Sequence, residues 1–261
     1  PDAVVHAGDV FHHVRPKIRP LYVFQRGLLK LRRAGIPVII ISGNHDAPKS
    51  YSQTSPFLLF KGLEGVHIAC KYKYKRFEVG DHHFHCIPFC LDPGEYLTEF
   101  KKIKREGKDV LVMHGLVESL SNRRMRSVGE HELSDSFMKS DFDYIALGHF
   151  HNQDPISGNA WYSGSVEYFN FGEARDHKGI LQVDLESGQV QRIPIQPEYM
   201  KDHPAIDCSG MRSQEIAGCL MELCQEDEIR DMMVRITLKN VNRAAYRSID
   251  QSRLSRMGSS A

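Results

Sequence analysis

A chain of 261 residues with 41% hydrophobic residues can bury a sizeable core, in one large domain or one domain with a small appendage. A formal net charge of +1 excludes a globally cationic coat, so any contact with nucleic acid must come from local basic patches. Six cysteines without a CxxC pair exclude a disulfide-framed scaffold and point to the reducing cytoplasm, and no apolar run reaches the roughly 18 residues of a membrane span.

The first element is a short buried strand, "AVVHA", that runs straight into Gly8 and Asp9. An open α/β sheet would place a strand and helix before it, so the sequence is expected to be a fragment lacking several tens of residues. Leu21, Phe24, Leu28 and Leu31 recur at helical spacing and predict a helix over Pro20 to Ala34, stopped by Gly35. Val38 to Ser42 reads as a strand covered on both faces. "VLVMHG" and "YIALGHFHN" predict two more buried strands, ending on His114 and Gly115, and on Gly148, His149 and His151. "KGILQVDLESGQVQRIPI" alternates apolar and polar residues about a turn and predicts a β-hairpin. After Pro197 the tail offers a short strand, a helix near Gln214 to Glu226 and a strand "MMVRITL", and stops arbitrarily at "SRMGSSA". The division expected is therefore a main domain over 1–196 and the start of a small α/β appendage over 197–261.

Four strand ends, "GDVFHH", "GNHD", "MHG" and "GHFH", each place a carboxylate, amide or imidazole just past an apolar run. In an open α/β sheet such ends converge on one crevice. Asp9, Asn44, His114, His149 and His151 form an oxygen and nitrogen donor set without sulfur, suited to Mn²⁺, Fe²⁺ or Zn²⁺. A lone histidine at a strand end is more often a hydrogen-bonded turn residue; four such ends in order favour a metal centre. His45 and Asp46 sit beside Asn44, with Asp46 placed to orient the His45 imidazole.

These residues resemble the calcineurin-like metallophosphoesterases, whose signature runs Asp-x-His, Gly-Asp, Gly-Asn-His-Asp, His and Gly-His-x-His; all but the first motif is present. "GDVFHHVRP" and "WYSGSVEYFNFGEARDHKGILQVDL" are similar to the SbcD-type nuclease subunits of DNA double-strand-break repair. The resemblance implies a four-layer αββα sandwich with a small, partial α/β capping domain. It also implies two divalent metal ions, Mn²⁺ first with Mg²⁺ or Fe²⁺ as alternatives, hydrolysing phosphodiester bonds at DNA ends or hairpins. Asp9 then bridges the two ions, Asn44, His114 and His149 complete one site, and His151 contributes to the other, which the absent Asp-x-His would finish. His45 stabilises charge on the phosphate or protonates the leaving oxygen. His12 positions the scissile phosphate, with His13 as an alternative occupant. The partners implied are DNA, an SbcC-type coiled-coil ATPase and a second copy of the chain, in the cytoplasm at the nucleoid and without a membrane.

Other clusters are weighed against plainer readings. "DHHFHCIPFC" could suggest zinc, yet a strand would send alternate residues to opposite faces. "KYKYKRF" interleaves cations and aromatics like a single-strand binder, and equally like an edge strand with lysines outward. "KKIKREGK" is most simply a solvated helix end. Arg123, Arg124 and Arg126, just beyond His114, are the candidates for DNA-phosphate contact. Two competing functions remain open: a phosphoesterase for small phosphate esters and a catalytically silent scaffold.

Overall fold

Strand formation begins with β-branched runs that no helix period fits. Val4–His6 (β1), Val38–Ile41 (β2) and Val66–Ala69 (β3) pair in parallel, in the order β1-β2-β3, with Val38 opposite Val4 on one side and Val66 on the other. The computed structural model describes residues 1–121, 131–195, 199–250 and 252. All four residues of β2 are buried, as expected for a strand covered on both faces. Helix α1 spans Ile18–Arg33 and lays Leu21, Phe24, Leu28 and Leu31 on this sheet, against Val38, Ile40, Phe57 and Phe60. It starts two residues earlier than its spacing predicts, because Pro20 falls in the first turn, where the missing N–H costs no hydrogen bond. Gly35, at φ 71°, closes its end by donating to Arg32 O.

Lys75–Val79 (β4), His82–Ile87 (β5) and Lys108–His114 (β6) belong to a second sheet, with helix α2, Pro93–Phe100, lying between β5 and β6 in the chain. Leu116–Val117 (β7) and Glu132–Leu133 (β8) pair in parallel as a two-residue ladder around α3, Glu118–Ser121, and α4 follows at Asp135–Met138. Tyr144–Gly148 (β9), Asp154–Pro155 (β10) and Ala160–Tyr162 (β11) complete the second sheet in the order β10-β11-β9-β6-β5-β4. Alternation along β6 divides the interior. Val110 and Val112 meet Ile39, Ile41 and Phe84 between the two sheets, while Leu111 and Met113 meet Tyr96, Phe137 and Leu147 on the other face. The order of layers in this part of the chain is thus helix, sheet, sheet, helix.

β4 is an edge strand, but of "KYKYKRF" it takes only Lys75 to Phe77; Lys71 and Lys73 precede it, flanking a buried Tyr72 at φ 57°, so their alternation is not that of an edge strand. β5 sends His83 and His85 to one side, where both rings reach the Asp109 carboxylate at 3.3 and 2.7 Å; this is a hydrogen-bonded cluster on one strand face. Gly179–Val183 (β12) and Val190–Pro194 (β13) form the expected hairpin, closed by Asp184 N donating to Gln189 O.

The chain divides into two compact units. The first holds Pro1–Val166 and His177–Ile193, the second Glu167–Asp176 and Pro194–Ala261. In the second, Met200–Asp202 (β14) and Ile206–Asp207 (β15) pair in parallel with Met233–Arg235 (β16) and Leu238–Lys239 (β17). The run "MMVRITL" is thus two short strands, not one. Helix α5, Ser213–Leu223, and α6, Arg243–Arg247, complete it around Cys208, Ile216, Leu220 and Ile249. α5 stops at Leu223 because Gln225 and Glu226 bond three residues back, tightening the last turn. Among the described residues no helix is long and apolar enough to cross a membrane.

Candidate metal centre

All four motif-bearing strand ends deliver a residue to a common space. Asp9 lies just beyond β1, Asn44 beyond β2, His114 on the last residue of β6, and His149 just beyond β9. Asp9 and His149 adopt positive φ, 57° and 103°, which for residues with a Cβ stores local strain of the kind found at functional turns. Close approach of the backbones is possible because Gly43 and Gly148 lack side chains. A Cβ on Gly43 would collide with the Asp9 carboxylate and one on Gly148 with the Ala7 carbonyl.

One ligand atom each from Asp9, His114 and His149 falls within 4.8 Å of the others. Asn44 Oδ1 lies between them, 2.9 Å from His114 Nε2 and 3.0 Å from His149 Nδ1, and Asp9 Oδ2 is 3.3 Å from His114 Nε2. The tautomer of His114 follows from its other nitrogen. Nδ1 sits 2.7 Å from Ala7 O, and a carbonyl can only accept, so Nδ1 carries the hydrogen. In the neutral ring Nε2 is then a lone pair, facing a carboxylate oxygen and an amide oxygen. Three acceptors converging in a part-buried place favour a positive charge among them, either a proton on Nε2 or a metal ion. Burial disfavours the imidazolium, yet the Asp9 charge and hydrogen bond outweigh it and raise the His114 pKa. Burial likewise pushes Asp9 up, but the His114 charge, the His114 hydrogen bond and the His45 amide together hold it far below the carboxylate range. The donor set of one carboxylate, one amide and two imidazoles therefore fits a divalent ion of the Mn²⁺, Fe²⁺ or Zn²⁺ kind, and Ala7 O plays the orienting role that metal-bound histidines need.

His151 is described and lies outside that donor group. Its carbonyl, instead, is held by Ser165 N at 2.9 Å and by the buried Lys178 ammonium at 3.1 Å. His45 donates its backbone N–H to Asp9 Oδ1 at 2.8 Å, and its ring Nδ1 reaches His12 O at 3.2 Å. The His12 ring stacks on His45 at 5.0 Å, and the His13 ring is tilted against His12 at 4.3 Å. Asp46 does not orient the His45 ring as the sequence suggests: its two oxygens accept from Gly43 N at 2.8 Å and Phe11 N at 3.2 Å, tying the Asp9 and Asn44 turns together. Burial, and then the Asp9 charge, raise Asp46 to about 7. Arg123, Arg124 and Arg126 lie outside the described residues.

Several groups around this centre escape sequence reasoning. The Lys49 ammonium bonds to the Asn44 carbonyl. Tyr96 Oη donates to His114 O at 2.9 Å, and Tyr162 Oη to Gly115 O at 2.7 Å. His6, whose Nδ1 is buried without a hydrogen-bond partner, is pushed down to about 4 by burial and by the His114 charge, against the pull of Asp9. Lys49 follows a recognised motif closely enough to be suspected; Tyr96 lies on an element with no motif, and Tyr162, though inside the "WYSGSVEYF" stretch, carries no sign there of a role at the centre.

The family model for calcineurin-like phosphoesterases matches residues 1–181. Relatives include the DNA double-strand break repair protein Mre11 of Methanococcus maripaludis, 30% identical over 222 residues, covering 75% of this chain and 56% of that protein. The Mre11 protein of Methanocaldococcus jannaschii is 27% identical over 219 residues, with the same two shares. The SbcD component of the SbcCD nuclease of Staphylococcus saprophyticus is 25% identical over 229 residues, 76% of this chain and 59% of the relative. The chain thus spans somewhat over half the length of the curated relatives it matches.

Proposed function

Because the chain belongs to the calcineurin-like phosphoesterase family, we propose that it is the catalytic part of a metal-dependent nuclease hydrolysing phosphodiester bonds of DNA. The observation that carries this reading is the convergence of Asp9, Asn44 and His114 acceptors on one part-buried point, with His149 alongside. Asp9, Asn44, His114 and His149 hold one ion, and Asp9 with His151 begins the shell of a second. Bound there, divalent cations supply Lewis acidity, activating a water and offsetting charge that builds on the phosphodiester. Mn²⁺ suits the mixed oxygen and imidazole donors, with Mg²⁺ or Fe²⁺ as alternatives.

The chain's own residues supply the rest. His12 O fixes Nδ1–H on His45, leaving Nε2 as the atom that carries a second proton when the ring is protonated. That Nε2–H stabilises the phosphate oxygens or protonates the leaving oxygen. His12, stacked on this ring, positions the scissile phosphate. Substrate attraction has a further source: no Asp or Glu lies between Asp9 and Asp46, while Arg15, Lys17, Arg19, Arg26 and Arg33 do. The names of the relatives support DNA as substrate and, through the two-part name SbcCD, a second type of subunit as partner, for which the family resemblance implies an SbcC-type ATPase. The expected setting is the nucleoid in the cytoplasm.

A second copy of the chain is the remaining partner. Ile18, Tyr22 and Val23 of α1 are 83, 55 and 59% exposed, on the side away from its core stripe, and Leu59 of the neighbouring turn is 68% exposed. Such apolar exposure on adjacent elements is what an isologous interface covers.

Calorimetric titration of the full chain with MnCl₂, beside digestion of linear duplex DNA and of p-nitrophenyl phosphate, tests the reading. It predicts one tight Mn²⁺ and one weak one, slow DNA digestion stopped by EDTA, and loss of tight binding in Asn44→Ala. No Mn²⁺ binding, or turnover of the monoester with DNA left intact, would sink it.

A further inference from the structure

His114 is the innermost donor, 0% exposed, and its ring is pinned at Nδ1 by the Ala7 carbonyl. What fixes its backbone is a separate matter. At the end of β6 the strand ladder runs out, and the carbonyls of His114 and Gly115 turn into the helix-side core, where each would be a buried acceptor without a strand partner. Two tyrosines meet them. Tyr96, on α2, donates Oη–H to His114 O at 2.9 Å, and the same oxygen accepts from Cys90 N at 3.3 Å. Tyr162, on β11, donates to Gly115 O at 2.7 Å and accepts from Val117 N at 2.9 Å. Both side chains are fully enclosed, 1 and 0% exposed.

We propose that Tyr96 and Tyr162 are positioning residues for the metal centre: their hydroxyls hold the two successive peptides after His114, His114–Gly115 through Tyr96 and Gly115–Leu116 through Tyr162, and so aim His114 Nε2 at the point shared with Asp9 and Asn44. The inference rests on the metal-centre reading above. Phenylalanine would fill the same space and pack equally well among Leu111, Met113 and Leu147, so volume does not call for the hydroxyls. The two carbonyls do. Burial drives both phenols well above their ordinary range, so each remains a donor at any working pH. Rotation of the clamped peptide would swing the Cα–Cβ bond of His114, and ligand geometry tolerates only about half an ångström of such error. α2 and β11 carry none of the proposed ligands, so the clamp ties the centre to two elements outside the donor set.

The test compares Tyr96→Phe, Tyr162→Phe and the double variant with the parent chain, and with Leu28→Ala, a core truncation under α1 that touches none of these groups. Mn²⁺ affinity from MnCl₂ titration is the readout, with thermal melts in EDTA alongside. Each tyrosine variant is expected to bind Mn²⁺ about tenfold more weakly, the usual penalty for losing a group that orients a ligand, and the double variant more weakly still. Leu28→Ala should melt lower yet keep its affinity within twofold. Unchanged Mn²⁺ affinity in both single variants overturns the proposal. An equal loss in Leu28→Ala does so too, because it would trace the effect to general destabilisation. If one tyrosine variant fails to fold, the other decides. A parent chain that binds no Mn²⁺ at all instead overturns the metal-centre reading, and is recognisable as that before any variant is compared.

Discussion

His45 shows how two neighbouring residues of one motif divide the labour. Asn44 aims its side chain at His114 and His149, while His45 gives its amide to Asp9 and keeps its ring away from that group, against His12. Replacing the ring therefore ought to spare metal binding, because the amide of an asparagine at 45 still reaches Asp9. His45→Asn is expected to retain Mn²⁺ affinity within a few-fold and to lower the rate of DNA digestion roughly a hundredfold or more, the scale of a lost proton donor. Parallel calorimetry and single-turnover digestion would check this; a matching loss in both would place His45 among the ligands instead. Asp46 illustrates the limit of motif reading at this scale. A carboxylate after a histidine suggests a His–Asp pair, but the tight turn delivers both Asp46 oxygens to the backbone amides of Gly43 and Phe11.

Among the elements, β5 is the clearest case of chemistry absorbed by packing. His85 is fully buried, with Tyr74 Oη 2.8 Å from Nδ1 and Asp109 Oδ1 2.7 Å from Nε2. Nε2–H donates to the carboxylate and Nδ1 accepts from the phenol, an arrangement that satisfies the neutral ring. Burial lowers the His85 pKa in spite of Asp109. A folded-state pKa below the unfolded 6.5 means that the unfolded chain binds more protons, so this group's stabilisation is complete above pH 6.5 and is lost as pH falls below it. His85→Asn is thus expected to lower the melting temperature at pH 7.5 and to shrink its further fall between pH 6.5 and 5. Melts of both chains across that range would decide, and an unchanged acid slope would count against His85. Asp109 acts in the same direction at lower pH, since its pKa is depressed: burial raises it, but the His85 bond and the Gly107 and Glu106 amides prevail.

For the whole molecule, the exposed apolar residues of α1 make self-association the measurable consequence. Sedimentation of the full chain should show a dimer, and Tyr22→Glu should give a monomer that melts at nearly the same temperature, because Tyr22 lies off the buried stripe of α1. A parent chain that sediments as a monomer at tens of micromolar would rule out the second copy as a partner.

How much could be read beforehand follows from which interactions are local. Buried strands announce themselves as apolar runs, α1 by the spacing of Leu21, Phe24, Leu28 and Leu31, and the strand-end residues by glycines beside polar donors, because each depends on a few consecutive residues. The sequence by itself therefore determined the α/β class and the strand-end positions of Asp9, Asn44, His114 and His149, while the layered sandwich was expected from the family resemblance. Only the tertiary structure decided that His114 presents Nε2, that Asp46 serves the backbone, and that Tyr96 and Tyr162 hold the His114 turn. Those outcomes depend on which carbonyl or amide of a distant segment comes within hydrogen-bond reach, and a distance between residues 7 and 114, or 115 and 162, has no trace in the order of the letters.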